Sequence, residues 1–285
     1  WIPSFVFSYR SFKDLFGFGS RLLISRTLHA IYTNGSFLLI GKFYSPSVTG
    51  LYSQSTQMTS FAPMSINDVV ARVAYPIECE LQDNEEELQR RFFQMLRMTS
   101  FILFPLMMGL AALAEPVVRL LLTNKWIEAV PLIRILCFAW IWWPASNMSW
   151  QLLNAKHRSD YCLKAEIIKK VIAISILVFS LFWGIKAVCI GMLIYYVTDV
   201  YVITLFTKRI LPKVTFWNEL KALFPILVCA ILMGTGVYSL KYIIDSDIML
   251  LSVGVTVGIV LYVVFTLLTG SRETYYWIEL IKKKQ

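Results

Sequence analysis

The stretch IMLLSVGVTVGIVLYVVFTLLTG, Ile248 to Gly270, runs for 23 residues without a charge. As a helix rising 1.5 Å per residue it is about 34 Å long, enough to cross a hydrocarbon core about 30 Å thick. Two further runs are equally free of charge, Ala222 to Leu240 and Ile135 to Ala155. The whole chain follows the same pattern. Of its 285 residues 57% are hydrophobic and 16% charged, with a mean hydropathy of +0.62. Soluble domains hold about a quarter charged residues, so a soluble chain with an outsized core is excluded. The chain is expected to be all-α, a polytopic membrane protein.

Eight helical spans are predicted. They cover about Leu15 to Phe43, bent near Asn34-Gly35; Leu51 to Ala74; Phe92 to Leu122, with Pro105 and Pro116 inside; Val130 to Asn154, with Pro144 inside; Leu163 to Ile185; Ala187 to Thr207; Leu220 to Leu240; and Ile248 to Gly270. Proline is tolerated within such spans because neighbouring groups satisfy the freed carbonyl. Lys and Arg concentrate in the loops of one side, at Arg90-Arg91, Lys156, Arg158, Lys164, Lys208-Arg209, Lys213 and Lys282 to Lys284, against Lys42, Lys125, Lys186 and Lys241 on the other. The first side is therefore cytoplasmic and both ends of the chain lie there. The net charge of +9 follows from topology and not from binding nucleic acid. The charged run Cys79 to Phe92 is expected to form a short surface helix, with Glu85-Glu86-Glu87 as a solvated face and not a catalytic cluster.

No catalytic, metal or cofactor constellation is found. The five cysteines stand singly, only two histidines occur, and HExxH, GxSxG and Walker patterns are missing. Residue 1 is Trp, and no signal peptide precedes the first span, so further chain is expected upstream.

Charge inside a span is costly and faces a cavity or a partner. Arg72, Arg97, Lys169 and Lys170 fall near cytoplasmic helix ends and are expected to snorkel to the headgroups, as is Arg134 on the outer side. Glu115 and Arg119, and Asp68 and Arg72, have the i, i+4 spacing of helix pairs. Arg26 fits neither account. Counted from Leu15 it lies about 16 Å deep, close to the midplane. At about 100° per residue, Arg21, Ser25, Arg26, His29, Tyr32, Thr33 and Ser36 share one sector of about 140°, opposite Leu23, Ile24, Leu28 and Ile31. Such a helix lines a wet, positively charged cavity. The second span carries Tyr52, Gln54, Ser55, Thr56, Gln57, Thr59 and Ser60, which either line the same cavity or join helices by hydroxyl contacts. Asp199, deep in the sixth span, either pairs with a cation of another helix or relays an ion.

Five stretches resemble a known family: GKFYSPSVTGLYSQS (Gly41 to Ser55), RVAYPIECELQDNEEELQRRF (Arg72 to Phe92), FPLMMGLAALAEPVV (Phe104 to Val118), NKWIEAVPLIRILC (Asn124 to Cys137) and KHRSDYCLKAEIIKK (Lys156 to Lys170). They are similar to the polysaccharide-exporting branch of the MOP superfamily, the Wzx-like flippases of O-antigen and exopolysaccharide units. The resemblance implies the second six-helix lobe of such a protein at 15–207 and its terminal helix pair at 208–270. Before them would lie a cytoplasmic linker, 1–14, leading from an N-terminal lobe of the same chain, and after them a basic cytoplasmic tail, 271–285. It implies a bacterial inner-membrane transporter, not an enzyme. Its partners would be membrane lipids, an undecaprenyl-diphosphate-linked oligosaccharide and a coupling ion, proton or sodium. Arg26, Arg21, His29, Ser25, Gln54 and Gln57 become the candidate substrate-binding residues, and Asp199 the candidate for ion coupling. The competing possibilities are a membrane polymerase or ligase of the same pathways, against which the short outer loops speak, and another MOP exporter.

Overall fold

A computed structural model describes residues 8–270; the basic tail 271–285 and the first half of the 1–14 linker, residues 1–7, lie outside the described residues. Ten α-helices follow one another: α1 (Tyr9–Phe43), α2 (Pro46–Glu80), α3 (Glu85–Ala112), α4 (Ala114–Leu122), α5 (Val130–Trp140), α6 (Trp143–Ala155), α7 (Ser159–Leu181), α8 (Ile185–Thr207), α9 (Phe216–Ser239) and α10 (Asp247–Leu268). Among the described residues there is no strand. Helix starts are capped as expected of Ser, Asn and Thr. Ser45 accepts from Val48 N–H ahead of Pro46, and Asn84 Oδ1 accepts from Glu87 N–H at 3.1 Å. Glu85, Glu86 and Glu87 then occupy the first turn of α3, where the helix dipole favours acids.

Two expected spans are each broken in two. The third ends at Ala112 and restarts as α4; the fourth ends at Trp140 and restarts as α6. Both breaks have the same cause. A proline ring clashes with the carbonyl four residues back, and Ala112 and Trp140 stand four residues before Pro116 and Pro144. Pro63, Pro76, Pro105 and Pro225 are instead absorbed within helices. The bend expected at Asn34-Gly35 does not interrupt α1, which is helical throughout. The charged run Cys79 to Phe92 is not a separate surface helix. It divides into the end of α2, a turn and the start of α3, because Asn84 caps a helix that continues into the core.

The core gathers on one face of α3, where Leu88, Phe92, Leu96, Leu103 and Met107 recur at four- and seven-residue intervals and are fully buried. α3 packs on α9, α5 and α2, and α9 carries α10. The α3–α9–α10 seam is built on glycine. A Cβ at Gly234 would stand 3.2 Å from Met108 Cβ and 3.4 Å from its carbonyl oxygen, and one at Gly258 3.2 Å from Val237. Small residues let helices approach where lipid supplies no hydrophobic drive. At one end of the bundle, Glu115 pairs with Arg119 at 2.8 Å as its spacing predicts, and Lys241 and Asp247 extend that pair across α9 and α10.

α1 and α2 are joined by only Tyr44 and Ser45, yet they part. α1 leans on α7, whereas α2 leans on α5, α3 and α6, leaving a cleft between them. Among the described residues five helical segments are long and apolar enough to cross a membrane: 85–112, 124–155, 185–207, 216–242 and 247–268. α1, α2 and α7 fall short of that measure, and all three border the cleft.

Replacing Gly234 by Leu forces α9 off the backbone of α3. It is expected to destabilise the protein by ~1–3 kcal/mol, read as a lower melting temperature in detergent. Gly109→Leu, where a Cβ meets nothing within 4 Å, should leave that temperature unchanged.

Candidate functional site

The cleft opens into a cavity of about 1070 Å³ lined from α1, α2, α5, α6, α7 and α8. α1 contributes Ser25, Arg26, His29, Tyr32, Thr33 and Ser36, so the polar sector read from 100° periodicity is the cavity wall. Leu23, Ile24 and Ile31 point the other way and are exposed. α2 contributes Thr56, Gln57, Asn67, Asp68 and Arg72, and α5 and α6 contribute a ring of indoles, Trp140, Trp143 and Trp150. Of the candidate binding residues, Arg26, His29, Ser25 and Gln57 line the cavity. Arg21 and Gln54 do not. Arg21 lies at the edge of the polar sector and is exposed. Ser25 is buried and donates to the Arg21 carbonyl at 2.9 Å.

The floor of the cavity is a charge cluster carried by α7 and α8. Lys169 and Lys170 were expected to snorkel to headgroups. They are instead buried, 6% and 5% exposed, beside Glu166 at 3% and Asp199 at 4%. α7 starts at Ser159, which puts Lys169 about 15 Å along it, too deep to reach an interface. The side chains stay inside because carboxylates meet them there. Lys169 Nζ lies 2.7 Å from Asp199 Oδ1 and 3.5 Å from Glu166 Oε2. Lys170 Nζ lies 3.0 Å from Glu166 Oε1 and donates to Tyr195 Oη at 2.9 Å. Asp199 also accepts from the Ser146 hydroxyl and, at 3.3 Å, from Tyr195 Oη. Asp199 therefore has a cation partner on another helix, one of the two roles open to it from sequence.

α1 joins the cluster through His29, whose Nδ1 stands 3.3 Å from Glu166 Oε1 and 3.2 Å from Lys170 Nζ. The imidazole remains 47% exposed toward the cavity. Arg26 lies 5.6 Å above the Trp150 ring. Among the described residues no carboxylate pairs with it, and none joins Asp68 to Arg72 despite their spacing. Glu166 is the member of the charge cluster that sequence reasoning missed. Its signal was present in EIIKK, where one Glu precedes two Lys by three and four residues.

Removing one member of a buried pair strands the other charge and costs ~3–5 kcal/mol. Lys169→Met alone should therefore lower the melting temperature sharply. Lys169→Met with Asp199→Asn should recover most of the loss. Equal melting temperatures for the single and the double variant would contradict the pairing.

Comparison with known proteins now bears on this geometry. The family model described as "Polysaccharide biosynthesis protein" matches residues 1–131. The teichuronic acid biosynthesis protein TuaB of Bacillus subtilis (strain 168) is 32% identical over 160 residues, 56% of this chain and 33% of that protein. The lipopolysaccharide biosynthesis protein WzxC of Escherichia coli (strain K12) is 28% identical over 176 residues, 62% of this chain and 36% of that protein. The match thus spans about a third of the length of these relatives. In three dimensions 98% of the chain superimposes on 57% of the lipid II flippase MurJ in its inward closed conformation, with a TM-score of 0.74 at 16% identity, a likeness of fold. The chain is a multi-pass membrane protein related by sequence to bacterial polysaccharide biosynthesis proteins and similar in fold to a lipid II flippase.

Proposed function

We propose that the chain forms the cavity-bearing part of a flippase that carries a diphosphate-linked oligosaccharide lipid across the bacterial inner membrane by alternating access. The observation that carries this reading is Arg26. It is a cation midway along the 35-residue helix α1, it opens onto a cavity of about 1070 Å³, and no carboxylate among the described residues neutralises it. Arginine binds phosphate oxygens bidentately, and the guanidinium cannot shed its charge. The walls suit the rest of such a substrate. Thr56, Gln57, Asn67 and Asn147 offer donors and acceptors to sugar hydroxyls, and Trp140, Trp143 and Trp150 offer flat faces to sugar rings.

Names of relatives support the same substrate class, since TuaB is named for teichuronic acid biosynthesis, WzxC for lipopolysaccharide biosynthesis and MurJ as a lipid II flippase. The orientation with basic loops inward follows the Lys and Arg distribution. Coupling to a proton or sodium gradient belongs to this proposal too, and Asp199 enters it as the locked partner of Lys169 and not as a free relay.

Two measurements test the proposal in the producing bacterium. Arg26→Ala should reduce surface polysaccharide at least ~10-fold, the cost of one lost charge-assisted contact of ~1.5–3 kcal/mol, while the protein still reaches the membrane at normal level. Unchanged surface polysaccharide would remove Arg26 from the substrate path. Lys169→Met/Asp199→Asn should keep the wild-type response of transport to an imposed pH gradient. Loss of that response in the folded double variant would restore Asp199 as the ion relay.

A further inference from the structure

The charges lining the cavity have a balance that a bound substrate would upset. Arg26, Arg72, Lys169 and Lys170 oppose Asp68, Glu166 and Asp199, leaving a single net positive charge. A diphosphate diester is a dianion. Bound at Arg26, it would turn that surplus into a deficit of the same size. An uncompensated charge away from bulk water is costly, and the usual remedy is a change of protonation.

One group is placed to supply the compensation. His29 Nδ1 forms a triangle with Glu166 Oε1 and Lys170 Nζ, with sides of 3.3, 3.2 and 3.0 Å. A neutral imidazole whose Nδ1 is unprotonated accepts from the Lys170 ammonium. A protonated one donates to Glu166 and repels Lys170. The geometry accommodates either state, and the proton on His29 decides which partner it keeps. Lys170, once released, still has Tyr195 Oη at 2.9 Å, and Glu166 still has Lys169 at 3.5 Å. The other ionisable groups around His29 do not offer the same exchange. On α7 and α8, Lys169 and Asp199 hold each other at 2.7 Å. On α2, Asp68 and Arg72 are of opposite sign, and on α1 itself Arg26 is a fixed cation and Tyr32 a phenol.

We propose that Lys170 and His29 form a second anion subsite beside Arg26, held by Glu166 as a resident counter-ion, and that binding of a diphosphate dianion there takes up one proton on His29. The inference presupposes the diphosphate-binding cavity proposed above. It adds which residues complete the site and what accompanies binding.

The test is calorimetric titration of the purified protein in nanodiscs with farnesyl-diphospho-glucose, a diphosphate diester whose own phosphates hold no titrating proton near neutrality. Runs at pH 7.5 in two buffers of different ionisation enthalpy give the number of protons exchanged. Uptake of about one proton is expected for the wild type by linkage. His29→Gln should bind about tenfold more weakly with uptake near zero. Glu166→Gln removes one negative charge and should bind without uptake, because the substitution already does the work of the proton. Wild-type binding without proton uptake, or undiminished uptake in both variants, would overturn the inference and leave the diphosphate site standing. Loss of binding in Arg26→Ala, with uptake in the wild type, supports both. No binding of the diphosphosugar by the wild type would overturn both.

Discussion

Four ionisable side chains lie almost wholly buried at the cavity floor, and the cavity is arranged around them. Glu166, Lys169 and Lys170 share one face of α7, and Asp199 comes to meet them from α8. In a medium of low dielectric each would be ruinous alone. Together they fix the approach of α7 to α8, and the Ser146 hydroxyl adds α6 to the same contact. α1 is drawn in by His29 at one depth and by Tyr44, whose hydroxyl donates to the Leu181 carbonyl at 2.6 Å, near the end of α7. A polar cluster that would be a defect in a soluble core here sets the position of the helix that carries Arg26.

The cleft between α1 and α2 follows from how differently the two are held. α2 is bound into the core by Leu51, Tyr52, Ser55 and Thr59, all buried. α1 buries only Ser25 and Ile40 among its described side chains. Two helices joined by two residues and anchored to different neighbours must diverge, and the space between them is the cavity. α1, α2 and α7 are also the long helices whose polar and charged content keeps them from registering as spans. Polarity within a span is tolerated where the side chain faces protein or water and not lipid. The polar and charged content of these helices and the lining of the cavity are the same fact seen twice.

At one end of the bundle a second ionic group, Glu115 with Arg119 and Lys241, ties the short α4 to the turn after α9. Lys241 reaches Glu115 at 2.5 Å and Asp247 lies 3.6 Å from Arg119, so both ends of the α9–α10 connection meet one helix. With the glycine seam along α3, this holds α9 and α10 as a flank on the bundle and away from the cavity.

The all-helical membrane class was legible in the uncharged runs, because the length of hydrocarbon to be crossed sets the length of each run. The polar wall of α1 was legible for the same kind of reason: a fixed 100° per residue places Ser25, Arg26, His29, Thr33 and Ser36 on one side whatever surrounds them. Helix breaks at Ala112 and Trp140 were within reach of sequence, since Pro116 and Pro144 each stand four residues beyond. What lay beyond it was which charges meet. Lys169 and Lys170 read as headgroup anchors because their carboxylate partners are one turn away on the same helix and thirty residues away on the next. Asp199 offered two roles that only the placement of Lys169 could separate. The i, i+4 spacing of Asp68 and Arg72 promised a pair that the cavity wall does not make. Local geometry is written in residue order, whereas the sign and distance of a buried charge's partner are properties of packing, and these only the tertiary structure decided.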